Sequence, residues 1–418
     1  MANYSTKFTK STNVSDQIIH HPTGTLIYMN DGVRICSEAC ACCWDKTNPE
    51  SYEDKVIYLG KRVKTGHTSI LEHSNLVVLI KMPSIITKDN TIDILSLVDT
   101  LCASQYLHAR FAQASDDTPY ILIGGSIRGF SELYELSNII PSINSIIRAI
   151  SEIIYANFDA RLFAGLIKEA YLDEEKFTGV EPDPVSKYFN PIPETPFYED
   201  DKVKFINVDN VRQIKANLFE AIGENIFSNR DISRVASISI LFKDMSRTAT
   251  HQLVRHRNGI TQESQRYVDY SNAAFADPTS FKPDKYDPNK IYEFNFGGTE
   301  FAMTSNQIGE AIIGIYQDLL SQGMLKEDAR SFLPGNVKCR KLYMTFTYAS
   351  YLKFLELRCH PAAQAEIRSF AIDCRDASDN IFKSLEETYN PVSVDEIISD
   401  KEKIMQNIIE NTPELKEN

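Results

Sequence analysis

Gln252 to Tyr267 read QLVRHRNGITQESQRY. Four cationic or potentially cationic side chains, Arg255, His256, Arg257 and Arg266, share this stretch with the neutral hydrogen-bonders Gln252, Gln262, Ser264 and Gln265. The chain as a whole carries a formal net charge of -13. Guanidinium forks meet phosphate in bidentate fashion, and side-chain amides read the edge of a base or ring. An acidic protein that gathers such groups in one window is expected to bind an anion with hydrogen-bonding edges. The alternative is a solvated basic helix face.

Working outward, 418 residues suffice for two or three domains with a full core. The 43% hydrophobic and 24% charged residues are ordinary for a globular protein. The acidic balance argues against a nucleic-acid coat, which would want a basic surface. The start, MANYSTKFTKSTNVSD, has no apolar leader core, and no apolar run approaches the length needed to span a bilayer. A cytoplasmic protein without membrane partners is therefore expected. Cys36, Cys40, Cys42 and Cys43 crowd into CSEACACC, but no second ligand pair accompanies them. Small residues buried on a helix fit better than a metal site.

Pro-rich EPDPVSKYFNPIPETP, followed by YEDD, reads as a linker. The expected organisation is a tail over 1–20, a first part over 21–175, a linker over 176–202, a second part over 203–390 and a charged tail over 391–418. A further loop-like insert, ADPTSFKPDKYDPNK, begins at Ala276. NLVVLIKMPS predicts a strand closed by Pro83, and ASISILFKDMS a second one. In the latter, Ile238, Ile240 and Phe242 alternate with Ser237, Ser239 and Leu241, so one face is expected to be better buried. Ser246 is the expected N-cap of a helix carrying Gln252, Arg255 and His256 on one face. Ile308, Ile312, Ile315 and Leu319 predict a helix ended by Gly323.

These motifs together resemble the flavin-dependent thymidylate synthases, the ThyX family. That family's Arg-His-Arg, seven residues, Ser, then Arg-Tyr is similar to Arg255-His256-Arg257, Ser264 and Arg266-Tyr267, with one residue fewer between. GHTSILEH (Gly66 to His73), EDARSFLP (Glu327 to Pro334) and FLELRCHPAAQAEIR (Phe354 to Arg368) resemble three further family blocks in the same order. The resemblance implies an α+β fold, a mixed β-sheet flanked by helices. It implies reductive methylation of dUMP, with methylenetetrahydrofolate as carbon donor and FAD, reduced by NADPH, as hydride source. No cysteine nucleophile is needed. It assigns Arg358 to uracil activation, with Ser264 beside the pyrimidine. It assigns Gln252, Arg255, Gln262, Ser264, Gln265, Arg266 and Arg330 to dUMP. His67, Ser69, Glu72, His256 and Arg257 fall to the flavin.

The resemblance is incomplete. After TFT, where the family has Asn-x-Arg against the flavin, the chain has Thr347, Tyr348 and Ala349. YILIGGSIRGFSELYEL in the first part resembles that same corner, with Ser126 and Arg128 in place of the missing pair, while Ser137 stands where the activating arginine belongs. The second part, conversely, has SNRDIS where the Gly-His block should precede the strand. Each part holds what the other has lost. The expectation is two diverged repeats forming a pseudo-dimer, the first for flavin and the second for nucleotide, with the whole a dimer of pseudo-dimers. A single domain interrupted by an unrelated insert is the alternative. On function, two alternatives stay open: a flavin- and folate-dependent pyrimidine-nucleotide hydroxymethylase, and a non-catalytic nucleotide-binding scaffold.

Overall fold

The computed structural model describes residues 22–82, 94–137, 144–157, 162, 186–191, 193–256, 259–277, 281, 285, 287 and 289–388. Arg257 and both tails lie outside them, as does the part of the Pro-rich stretch before Ser186. The first half begins with β1 (Thr23–Asn30), α1 (Gly32–Trp44) and α2 (Tyr52–Lys64). A 3-10 turn, Thr68–His73, leads into β2 (Leu76–Lys81), followed by α3 (Ile94–Leu101), β3 (Leu107–Gln113) and β4 (Pro119–Gly125). Helices α4 (Ile127–Ser137) and α5 (Asn144–Asn157) complete this half. The linker region supplies two short strands, β5 (Phe189–Asn190) and β6 (Tyr198–Glu199), one to each sheet.

The second half runs β7 (Val203–Val208), α6 (Val211–Ile222), α7 (Asn229–Val235), β8 (Ser237–Ser246) and α8 (Arg247–Leu253). Then come β9 (Gly259–Gln262), the hairpin β10 (Tyr292–Phe296) and β11 (Thr299–Met303), and α9 (Ser305–Ser321). The chain ends through α10 (Lys326–Ala329), β12 (Lys338–Thr347), α11 (Tyr348–Arg358) and α12 (Ala365–Thr388). The architecture is α+β. Two five-stranded sheets order their strands as β3-β4-β2-β1-β5 and β9-β12-β8-β7-β6. The first four positions match in sequence order and in antiparallel sense. Even the entry hydrogen bonds correspond: Asn30 N–H donates to Asn75 O, and Asp209 N–H to Ser237 O.

Helices of each half cover the other half's sheet. α6 packs on β1 and α7 on β3 and β4, while α1 packs on β9 and β12. One core therefore joins Ile27, Val77, Leu79 and Leu122 to Val211, Ile214, Leu218, Ile232 and Val235. Each such aliphatic side chain contributes roughly 1.5–3 kcal/mol when fully buried. The Cys-rich helix α1 is wedged between the halves. Its Val33, Cys36 and Cys40 face the first sheet's core, and Ile35, Ala39 and Cys42 meet Ile206 and Tyr343 of the second. Small side chains suit a helix buried on several sides. Among the described residues, no cluster of His, Cys, Asp and Glu could hold a metal, and no helix is long and apolar enough to cross a membrane.

One reading of the sequence needs correction, and one helix gains a buried face. β8 is buried on both faces along Ser237 to Ile240, because Asp209 and Thr345, joined by Asn75 and His73 of the first half, cover the face that alternation assigns to the outside. Ser239 tolerates this by bonding Thr345 Oγ1 at 2.8 Å. On α9 the buried positions are Gly309, Ile313 and Tyr316, while Ile315 is 49% exposed. Gly309 sets that face, since a Cβ there would sit 2.7 Å from the Phe275 ring.

Candidate active site

A cavity of about 370 Å³ lies between the halves, within the ordinary range for ligand sites. Glu72, Ser126 and His256 line it, together with Asn75, Tyr106, Arg234, Ser237 and Lys353. Its placement follows from the two strand-to-helix corners. β4 ends at Gly125 and hands over to α4 through Ser126, whose hydroxyl accepts from Gly129 N–H at 3.3 Å. β12 ends at Thr347, which caps α11 by accepting from Ser350 N–H.

At the first corner, Arg128 ion-pairs with Glu72, lies 4.8 Å over the Tyr106 ring and reaches Glu132 at 3.3 Å. Glu72 is buried. Burial raises its pKa to about 7, against the pull of Arg128 and the Tyr106 hydroxyl. Gly259 makes this possible, because a Cβ there would stand 2.8 Å from Glu72 O. His73, next in sequence, is a core residue. Its two ring nitrogens bond Thr345 Oγ1 and Thr261 Oγ1 at 2.9 Å each, and burial holds its pKa down to about 3.

At the second corner, Arg358 ends α11 and turns back onto α8. Its Nε donates to His256 Nε2 at 3.1 Å, Nη1 to Gln252 Oε1 at 3.4 Å and Nη2 to Gln252 O at 3.1 Å. Because arginine has no acceptor, His256 must present an unprotonated Nε2. Burial and Arg358 lower its pKa to about 4, so the ring stays neutral at pH 7. Burial and the nearby Arg255 also lower the Arg358 pKa from its ordinary range. Arg255 itself is exposed. The helix expected to carry Gln252, Arg255 and His256 tightens to a 3-10 turn at Val254–His256, which still leaves Gln252 and His256 on the side that meets Arg358.

Residues downstream hold this arrangement. Gln364 Oε1 accepts from Gln252 Nε2 at 3.2 Å. The buried Glu366 accepts from Ser246 N–H at 2.7 Å and from its hydroxyl at 2.6 Å, at the cap of α8. Nothing in the local spacing singles these two out. Tyr106, held within the first half beside Arg128, and Arg234, which enters the cavity from the second half, were likewise missed.

The remaining expected residues form a separate group. Ser264 N–H donates to Cys43 O, and Arg266 Nε to Glu327 Oε2 at 2.8 Å. Arg330 Nε donates to Glu327 O at 3.1 Å. Tyr267 stacks on Trp44 at 5.5 Å, and His67 meets Trp44 edge-on at 5.1 Å. Gln262 is tied to Thr250 Oγ1 at 2.9 Å, and Gln265 is half-buried beside Ser264. His67 and the exposed Ser69 do not line the cavity. The structure thus brings Glu72, Ser126, Arg128, His256, Gln252 and Arg358 to one region and Ser264, Arg266, Arg330 and His67 to another.

Comparison with known proteins fits the second half. The family model described as thymidylate synthase complementing protein (Thy1) matches residues 206–382. The chain carries a Thy1 domain in its C-terminal half. Flavin-dependent thymidylate synthases resemble it distantly. That of Pyrococcus furiosus is 32% identical over 168 residues, covering 37% of this chain and 63% of the relative. That of Pyrococcus abyssi is 33% identical over 171 residues, covering 40% and 62%. That of Geobacter sulfurreducens is 29% identical over 173 residues, covering 40% and 68%. The chain therefore spans less than two thirds of the two Pyrococcus relatives. Among solved structures, the UMP/dUMP methylase PolB from Streptomyces cacaoi bound with 5-Br dUMP overlaps 44% of this chain and 92% of its own, at 19% identity and a TM-score of 0.31. The Thy1 match includes Gln252, Arg255, Ser264, Arg266, Arg330 and Arg358, and leaves the first half outside.

Proposed function

We propose that the protein methylates dUMP reductively to dTMP, using methylenetetrahydrofolate as carbon donor and FAD reduced by NADPH. The observation that carries this reading is the posture of Arg358. Three of its five N–H donors are spent on Gln252 and His256. One N–H on each terminal nitrogen is left by the described contacts, a pair of donors that suits a ring carbonyl and the adjacent nitrogen once that nitrogen has lost its proton. A half-buried, preorganised cation there would draw negative charge toward the ring's amide edge and raise electron density at carbon 5. Arg255 would take phosphate beside Arg358, and Ser264, Arg266 and Arg330, which lie apart from Arg358 within one chain, would reach the pyrimidine, phosphate and sugar from a second copy.

The cavity residues fit a flavin. They offer a carboxyl at Glu72, a hydroxyl at Ser126, an aromatic face at Tyr106 and the guanidinium of Arg128. His256 belongs to the same set, while His67 and Ser69 stand outside it and Arg257 lies outside the described residues, so flavin contacts from these three rest on the family resemblance alone. Bound reduced flavin would supply the hydride that completes the methyl group. In this reading the halves are diverged repeats. The shared strand order supports it, and so does Arg128 standing three residues past Gly125, as Ala349 stands past Phe346 at the equivalent register. Two copies of the chain would then form a dimer of pseudo-dimers.

The reading predicts a thiol-independent reaction. Burial raises the pKa of Cys339 and Cys359, disfavouring a thiolate at either. The test is incubation of purified protein with FAD, NADPH, methylenetetrahydrofolate and dUMP, followed by the mass of the nucleotide product. A methyl increment that depends on FAD is expected. A hydroxymethyl increment would reassign the product, and unchanged dUMP with bound flavin would overturn the reading.

A further inference from the structure

Arg234 has no place in the site as described so far. Asn75 and Ser237 accept equivalent hydrogen bonds at the starts of β2 and β8, so Glu72 and Arg234, each three residues earlier, are counterparts. The two halves thus bring opposite charges to one cavity. Arg234 is half-buried and, among the described residues, makes no ion pair or side-chain hydrogen bond. Arg110 and Arg230 stand close enough to repel it. The one carboxylate of this group, Asp231, lies 3.5 Å from Arg110. His108, which also lines the cavity, is kept neutral by burial and by these arginines, with its pKa near 4. Lys353, paired with Glu356 at 3.1 Å, adds a second cation to the lining.

Three guanidiniums around one carboxylate, with one of them desolvated at a cavity wall, make an arrangement that an anion would relieve. Asp231 attracts Arg234, but burial and the two neighbouring guanidiniums outweigh it and hold the Arg234 pKa below its ordinary range. We propose that the Arg234 end of the cavity, backed by Arg110 and Arg230 and flanked by Lys353, binds a phosphate or diphosphate group of a nucleotide. The source is either the diphosphate of the flavin nucleotide or a separate phosphate-bearing nucleotide. The first source rests on the flavin reading above. A planar fork over a phosphate also fixes which way round a ligand lies, with its ring toward Glu72 and its anion toward Arg234.

The experiment is calorimetric titration of the full chain and its Arg234→Gln variant with ADP, FAD and riboflavin. Losing one charge-assisted contact should weaken ADP and FAD by about tenfold to a hundredfold and leave riboflavin unchanged. Arg234→Lys should recover part of that affinity, because the charge returns without the fork. The melting temperature of ligand-free Arg234→Gln should equal or exceed the parent's, whereas a structural arginine would lower it. If ADP weakens but FAD does not, the site stands and serves a separate nucleotide. If the parent binds ADP through Arg234 but takes up no FAD, the flavin reading alone fails. Equal affinities for ADP and FAD in parent and variant overturn the proposal, as does a parent that binds neither.

Discussion

The two halves share a strand order and differ in chemistry at nearly every cavity position. The first contributes Glu72, Arg128 and Glu132, where the second has Arg234, Ala349 and Lys353. The first carries Gly124 and Gly125 at the end of β4, where the second has Thr345 and Phe346 on β12. Gly124 is required by packing, since a Cβ there would lie 2.4 Å from Val235 Cβ, across the boundary between halves. Only the second half ends its corner helix with an arginine facing α8. The lesson is that a symmetric frame can hold an asymmetric site. Backbone topology sets where the cavity lies, and a few substitutions at matched positions decide which end takes which part of a ligand.

The sharpest way to break this comparison is Arg358→Ala. Loss of a preorganised donor should lower turnover by about a hundredfold to a thousandfold while the fold, read by circular dichroism, is kept. Arg358→Lys should recover little, because a point charge cannot hold Gln252, His256 and substrate together. Near-normal turnover in the alanine variant would place activation elsewhere.

A paired test comes next. Arg128→Ala should weaken FAD by about tenfold to a hundredfold and leave dUMP nearly unaffected, while Arg266→Ala should do the reverse. Titration of both ligands on both variants reads this out directly. Equal losses in the two variants would dissolve the division between halves.

The third test uses pH. The folded-state pKa of Glu72 lies above its unfolded value, so its contribution to stability is complete below about 4.5 and is lost as pH rises through about 7. Glu72→Gln removes that loss, at most about 3 kcal/mol. The melting-temperature difference between variant and parent should therefore grow across this window and level off above it. Taking the difference cancels the histidines, whose depressed pKa values act in the opposite sense. A difference constant with pH would mean that Glu72 stays ionised throughout. The smallest effect is expected from Cys339→Ser with Cys359→Ser, which should leave methylation measurable; abolished turnover with the fold intact would restore thiol chemistry.

Much of this arrangement could be read from the chain itself. Strands β2 and β8 and the cap at Ser246 follow from local patterns that a window of ten residues contains, and the corner at Ser126 to Arg128 from its resemblance to a family block. What escaped depends on distant partners. Gln364 and Glu366 act across separations of 112 and 120 residues. Arg234 reads as part of a missing motif until α7 is seen against β3 and β4. The helix α9 and its end near Gly323 were legible from spacing, whereas the face it buries is set by the distant Phe275 ring.

The exchange of helices between sheets also bears on how the protein is made. When the first half leaves the ribosome, the face bearing Ile27, Val77, Leu79 and Leu122 has no cover, because α6 and α7 are not yet synthesised. α7 ends at Val235, well after β4 closes the first sheet at Gly125, so at about 5–20 residues per second the cover follows after roughly five to twenty seconds. Over that interval a nascent chain carries an open apolar sheet, a natural client for holding chaperones. A truncated message should then yield aggregate rather than an isolated first domain.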